Sequence, residues 1–503
     1  MSSDTPVKND DAASGETAGQ VAAKVPSGPD PIDDLVTTRH QLKVKRRTLP
    51  YTATTGRVVL REEVYEDGVF KGHKAKAEIT VTSYVVDHDG KGANTRPVTF
   101  AFNGGPGSSS VWLHMGLLGP RRIDMGDAGA LKPPPCELVD NPESLLAESD
   151  LVFIDPVSTG YSRVVTDSKP EAYHGYQGDI ESIGELIRLW TSRHERWLSP
   201  KFVIGESYGT LRGAALVEHL QTRYGMYVNG LMLISSVLDL SSVDFENQRN
   251  DRAHALYLPT YAAIAQYHGM LGRTSLAKAV KNAEAYAAHD YPHVLSQGSR
   301  LSAKDRKAAV TKLASLTGLS EDYVDRADLR IEHWRFFGEL LRHKRLTVGR
   351  IDGRFLGPAG SAIAENMDAD PSMDALIGPY SAGFNHYIRH ELAYHNDLPY
   401  EQISRRVHPW SFKDFEGRPI DVSPQLERAM RANPHLRVHV AYGYFDGATP
   451  HFAAEDVVAK LQIPEELRAN IEHRYYEAGH MMYVHEPSRI QQSKDLAAFV
   501  SAP

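Results

Sequence analysis

Three separate stretches carry residues able to do chemistry together. Gly205-Glu206-Ser207-Tyr208-Gly209 sets a serine in a G-x-S-x-G pattern, whose flanking glycines permit a sharp turn that lifts the hydroxyl clear of the chain. A serine hydroxyl is a poor nucleophile unless a base takes its proton and a third group holds the base in the right tautomer. Tyr444-Phe445-Asp446-Gly447 offers the carboxylate, and Ala478-Gly479-His480-Met481 offers the imidazole. A fourth stretch, Asn103-Gly104-Gly105-Pro106-Gly107-Ser108-Ser109, has consecutive glycines. These let the backbone approach a substrate closely and turn an N–H toward a developing oxyanion. No G-x-x-x-x-G-K-[ST] accompanies that loop, so it does not read as a phosphate cradle.

Each stretch must be positioned by the element before it. Arg96–Phe102, Lys201–Ile204, His435–Tyr442 and Ile471–Tyr476 are short runs that read as strands, and each ends at one of the four loops. Leu151–Ile154 and Gly230–Ser235 read as further buried strands, with helices over Asp179–Leu198, Leu211–Tyr224, Ala453–Leu461 and Pro487–Val500. Alternating strands and helices imply right-handed crossovers and a mainly parallel sheet. Tyr51–Leu60 and Lys76–Val86 alternate as antiparallel strands do. Nucleophile, acid and base in the order Ser, Asp, His belong to the α/β-hydrolase arrangement, which sets the expected fold class: α/β, with a central, mainly parallel sheet flanked by helices.

Between 238 and 430 the alternation stops. Ala253–Gly269, Thr274–His289, Ser302–Leu316 and Ser320–Arg345 read as helices, with Ser302 and Ser320 as N-caps. The expected organisation is therefore a hydrolase core over 46–237 and 431–503, interrupted by a helical cap over 238–430. Residues 1 to about 32 are small, polar and rich in Asp, Ser, Gly and Pro, and a disordered tail is expected over 1–45.

Composition bounds the rest. The 503 residues carry a net charge of −8, which disfavours nucleic-acid binding, and no run of about 20 apolar residues suggests a membrane span. One cysteine, Cys136, rules out an intramolecular disulfide. With no basic-then-apolar leader pattern at the amino terminus, a cytoplasmic location is expected.

With these motifs in hand, the chain resembles the serine carboxypeptidase family. Asn103-Gly104-Gly105-Pro106-Gly107, Gly205-Glu206-Ser207-Tyr208 and Gly479-His480-Met481 match its motifs, and Leu118-Gly119-Pro120 and Pro156–Ser162 are similar to two further segments. The resemblance implies Ser207 as nucleophile, His480 as base and Asp446 as orienter. It also implies an oxyanion hole from the N–H groups of Gly105 and Tyr208, with Asn103 and Glu206 on the substrate's C-terminal carboxylate. A peptide substrate follows, with no cofactor and no metal. Trp112 and Met481 are candidate pocket walls. Ala101 stands where the family commonly has tryptophan, Leu117 where it has an acidic residue, and Ser108 where it has cysteine, as in a disulfide-free, bacterial-type member.

Other readings use other residues. An esterase or acyltransferase would share the triad without recognising a carboxylate, and a non-catalytic binder would have lost a triad member. His390-Glu391-Leu392-Ala393-Tyr394 misses H-E-x-x-H at its last position, so it does not read as a zinc site. Trp334, Phe336 and Phe337 read as cap core or cleft lining, and Arg342–Arg345 as a solvated helix end. Oligomeric state and side-chain preference have no signature in the sequence.

Overall fold

Predominantly apolar runs become strands buried at every position. Four of them make the centre of the sheet in a computed structural model that describes residues 30–502 apart from 45, 88–94, 129 and 248. The strands are β1 (Asp34–Val44), β2 (Arg47–Glu66), β3 (Val69–Val86), β4 (Val98–Phe102), β5 (Asp150–Ile154), β6 (Lys201–Glu206), β7 (Gly230–Ile234), β8 (Arg437–Gly443) and β9 (Ile471–Tyr476). Their order across the sheet is β1-β2-β3-β5-β4-β6-β7-β8-β9, with the short pair Arg163–Val164 attached to β3. From β5 to β9 every pairing is parallel, whereas β1, β2 and β3 join antiparallel. Side chains alternate between two apolar layers: Ala101, Phe153, Ile204 and Met232 enter one, while Phe100, Val152, Val203 and Leu231 enter the other.

Helices α1 (Tyr176–Arg193) and α2 (Tyr208–Tyr224) cover the second layer through Ile183, Ile187, Leu211 and Leu216. The insertion supplies α3 (Asp251–Tyr267), α4 (Leu276–Ala288), α5 (Ala303–Thr317) and α6 (His333–Glu339), which share a third apolar cluster of their own. Ser302 and Ser320 do cap helices, each accepting the backbone N–H three residues on at 3.1 Å.

Three boundaries differ from the sequence reading. The helix expected over Ser320–Arg345 stops at Arg326, because Asp328 and Leu329 turn to positive φ and drive Leu329 and Ile331 into the cap core. The separately packed cap is smaller than 238–430. Helix α7 (Pro371–His390) buries Leu376, Tyr380 and Phe384 in the first layer of the sheet, and α8 (Ser423–Ala432) buries Leu426 and Met430 in the second. Helices α9 (His451–Ala459) and α10 (Glu486–Ser501) complete the two layers. Finally, the tail assigned to 1–45 is too long. Residues 34–44 form β1, paired with β2 along their whole length. Residues 1–29 lie outside the described residues. No helix among the described residues is long and apolar enough to cross a membrane.

Candidate active site

Ser207 sits on the single residue between β6 and α2, at φ +60° and ψ −130°. A non-glycine residue held there stores on the order of 1–3 kcal/mol of strain, which the surrounding structure must over-determine. The surroundings do so by contact. A Cβ on Gly205 would lie 2.0 Å from the Gly209 carbonyl oxygen, and one on Gly104 would lie 2.4 Å from the Tyr208 nitrogen. Both glycines are therefore obligatory, and the loop beginning at Asn103 lies directly against the first backbone N–H groups of α2. Arg212, fully buried on α2, donates to Asp179 of α1 at 2.8 Å and to the Asn103 carbonyl at 2.5 Å. That pair fastens the glycine loop to the helix carrying the serine.

The acid and the base meet as the motif order requires. His480 Nδ1 donates to Asp446 Oδ2 at 2.8 Å. Asp446 also accepts the N–H groups of Ala448 and Thr449 and the Thr449 hydroxyl, all within 2.9 Å. Burial pushes the Asp446 carboxyl up, but the His480 charge and these donors outweigh it and leave it below its ordinary value. Burial lowers His480 in turn, and the Asp446 charge and hydrogen bond more than reverse this, so the imidazole is a stronger base than usual. Ser207 and His480 line one cleft. No hydrogen bond joins them among the described residues, and contacts of this kind commonly close only when substrate binds.

Beside them lies a buried carboxyl, Glu206, 3% exposed. Asn103 Nδ2 donates to its Oε1 and the Tyr483 hydroxyl donates to its Oε2, each at 2.8 Å. Asn103 is itself oriented by the Leu113 N–H, which donates to its Oδ1 at 3.1 Å. Burial dominates the electrostatics and pushes Glu206 up to about 7, against the downward pull of His480, Tyr483 and Asn103. Trp112 and Met481 line the same cleft, and Trp112 Nε1 donates to Ser108 Oγ at 2.9 Å. Gly105 lines it too, while Tyr208 points its ring into the second core layer and offers only its N–H. Thus all nine residues singled out from the sequence converge on one place.

Several functional contacts escaped the motifs. Tyr483 takes up the support of Glu206 where Ala101 and Leu117, both buried and apolar, cannot. Its ring fits because a Cβ on Gly116 would come within 2.4 Å of it. From the cap, residues 350–353 lace both late loops together: Gly447 N–H donates to Arg350 O, Gly353 N–H to Phe445 O, and His480 N–H to Ile351 O at 2.7 Å. Asp352 accepts from Gly479 N–H at 3.2 Å and pairs with Arg354 at 2.6 Å. Phe336 and Phe337 pack the cap core, whereas Trp334 stays partly exposed. Glu391 and Tyr394, from the near-miss metal motif, pair with Arg121 and Asp34.

Glu284, His451 and Glu455 are the one group among the described residues with three potential metal-ligand atoms within 4.8 Å of one another. None of them lines the cleft, and His451 Nε2 lies 3.2 Å from Glu284, an ion-pair distance. A larger groove of about 680 Å³ on the cap, along Tyr286, His293 and Lys312, contains none of the candidate residues.

An elbow serine, a hydrogen-bonded Asp–His pair and a glycine loop at the carboxyl ends of parallel strands define the α/β-hydrolase fold. Residues 84–492 match the family model described as serine carboxypeptidase, and the chain belongs to that family. Serine carboxypeptidase-like 13 of Arabidopsis thaliana is 26% identical over 216 residues, 42% of this chain, and the match spans about 45% of the length of that relative. The fold is similar to that of a prohormone-processing carboxypeptidase from Saccharomyces cerevisiae, with a TM-score of 0.53 at 13% identity, covering 89% of this chain and 90% of the yeast one.

Proposed function

We propose that this enzyme releases C-terminal amino acids from peptides through an acyl-enzyme. Ser207 Oγ attacks the scissile carbonyl carbon while its proton passes to His480 Nε2, and Asp446 holds the imidazole and balances its charge. The oxyanion is received by the N–H groups of Gly105 and Tyr208, where the α2 dipole adds favourable charge. Collapse of the intermediate breaks the C–N bond, and the departing amine takes the proton from His480. Water then repeats the sequence on the ester and restores Ser207.

The observation that carries the exopeptidase reading is Glu206. A carboxyl in the cleft beside the nucleophile would repel a C-terminal carboxylate if both were ionised. Held up to about 7 by burial, it keeps its proton below neutrality and can share it with the substrate's carboxylate, beside the Asn103 amide.

The test compares an N-blocked dipeptide with its C-terminal amide and with a simple ester. Faster cleavage of the free acid, fading above neutral pH, is expected. Equal cleavage of all three would make the enzyme a general esterase and would overturn the carboxylate role of Asn103 and Glu206.

A further inference from the structure

One cation in the cleft has no use in this mechanism. Arg350 lines the cleft with Ser207, Glu206 and His480. Its neighbour Arg354 is neutralised by Asp352 at 2.6 Å, and most arginines of the chain have such partners. Arg350 has no carboxylate within 4.0 Å among the described residues, and its buried Nε has no hydrogen-bond acceptor. Glu206 lines the same cleft and takes its hydrogen bonds from Asn103 and Tyr483.

The backbone of Arg350 is nevertheless fixed. The Arg350 N–H donates to Asp370 Oδ1 at 3.1 Å, and its carbonyl accepts from Gly447 at 2.9 Å. The guanidinium lies over the ring of the partly exposed Trp334, at 5.2 Å from its centroid. A planar, permanently charged donor fixed at its backbone and stacked on an indole loses little freedom on meeting an anion.

We propose that Arg350 is a specificity-determining residue that receives the side-chain carboxylate of an aspartate or glutamate flanking the scissile bond, so that the enzyme favours acidic peptides. This rests on the peptidase reading above and names the substrate class of the same cleft. The carboxylate would accept from the terminal N–H groups, which make no hydrogen bond among the described residues, in a half-buried site where a charge-assisted hydrogen bond is stronger than on the surface.

The test uses N-blocked dipeptides carrying Glu or Gln at each of the two positions, at a pH where the side-chain carboxylate is ionised. At one position the Glu:Gln ratio of kcat/KM is expected to reach roughly tenfold or more in the natural enzyme, to fall toward unity in Arg350→Gln, and to be kept in part by Arg350→Lys. The rate of Ser207 labelling by a fluorophosphonate reports whether each variant retains its triad. Calorimetric binding of the same peptides to Ser207→Ala separates recognition from turnover. Tighter binding of the Glu peptide with no turnover by the natural enzyme would uphold the role of Arg350 and remove the peptidase reading. Turnover with a ratio near unity, or a ratio unchanged in Arg350→Gln, would overturn the role of Arg350 and leave the peptidase reading standing. Equal loss on Glu and Gln peptides, absent with C-terminal amides, would assign Arg350 to the terminal carboxylate instead and also overturn the proposal.

Discussion

Replacing Glu206 with glutamine removes one titration at nearly constant volume and exchanges one of the two oxygens facing Asn103 and Tyr483 for an amide donor, a change that does not vary with pH. The carboxyl moves from an ordinary 4.5 to about 7 in the folded chain. That gap corresponds to about 3 kcal/mol at 1.36 kcal/mol per pH unit. The sign follows from proton counting. Between these two values the unfolded chain has lost the proton and the folded chain still holds it, so Glu206 makes stability fall as pH rises through this window and leaves it level above. In urea unfolding, Glu206→Gln should therefore gain about 3 kcal/mol on the natural protein between pH 4.5 and pH 8. Activity should move with it. kcat/KM reports the free enzyme, so for a peptide with a free C-terminus it should fall about tenfold per pH unit once Glu206 ionises above 7. This alkaline fall should be absent for the C-terminal amide and absent in Glu206→Gln. Parallel stability curves, together with superimposable pH profiles for the two proteins on the free acid, would refute the reasoning.

Other substitutions probe the supports. Tyr483→Phe removes a donor to the carboxylate form of Glu206, so the alkaline limb should shift upward in pH, and cleavage of free-acid peptides should drop by about 1 kcal/mol in kcat/KM relative to an ester. Gly104→Ala forces a methyl to within 2.4 Å of the Tyr208 nitrogen; fluorophosphonate labelling should slow sharply, and urea unfolding should show a loss of about 1–3 kcal/mol. Asp179→Ala strands the buried Arg212 guanidinium and should cost about 3–5 kcal/mol by the same method, with labelling again slowed through the loosened Asn103 loop.

Local chemistry was legible where the physics is local. A serine between two glycines after an apolar strand specifies its own turn, and Asp446 and His480 each follow a strand end closely. Mostly apolar runs identified β4 to β7, because burial on both faces leaves few polar positions. Strand β1 was missed since Asp34–Val44 is largely polar and exposed, and it is a strand only through its ladder with β2. The Arg350–Gly353 segment was invisible for a different reason. Its function lies in backbone bonds to loops about a hundred residues away, such as His480 N–H to Ile351 O, and backbone groups leave no mark on residue type. Tyr483 carries a signal only in hindsight: where Ala101 and Leu117 cannot hydrogen-bond, a buried carboxyl needs a donor from elsewhere. The cap limits failed because α7 and α8 are helical like the cap yet present apolar faces to the sheet, and periodicity does not say which core a face joins.

The claim on which everything else depends is that Ser207 is the nucleophile. Mass-spectrometric analysis after treatment with a fluorophosphonate tests it directly, read beside peptidase activity. The account predicts one adduct per chain, on the peptide containing Ser207, with loss of activity in proportion to labelling. Full activity in a protein without the adduct, or inactivation with the adduct on another residue, would contradict it.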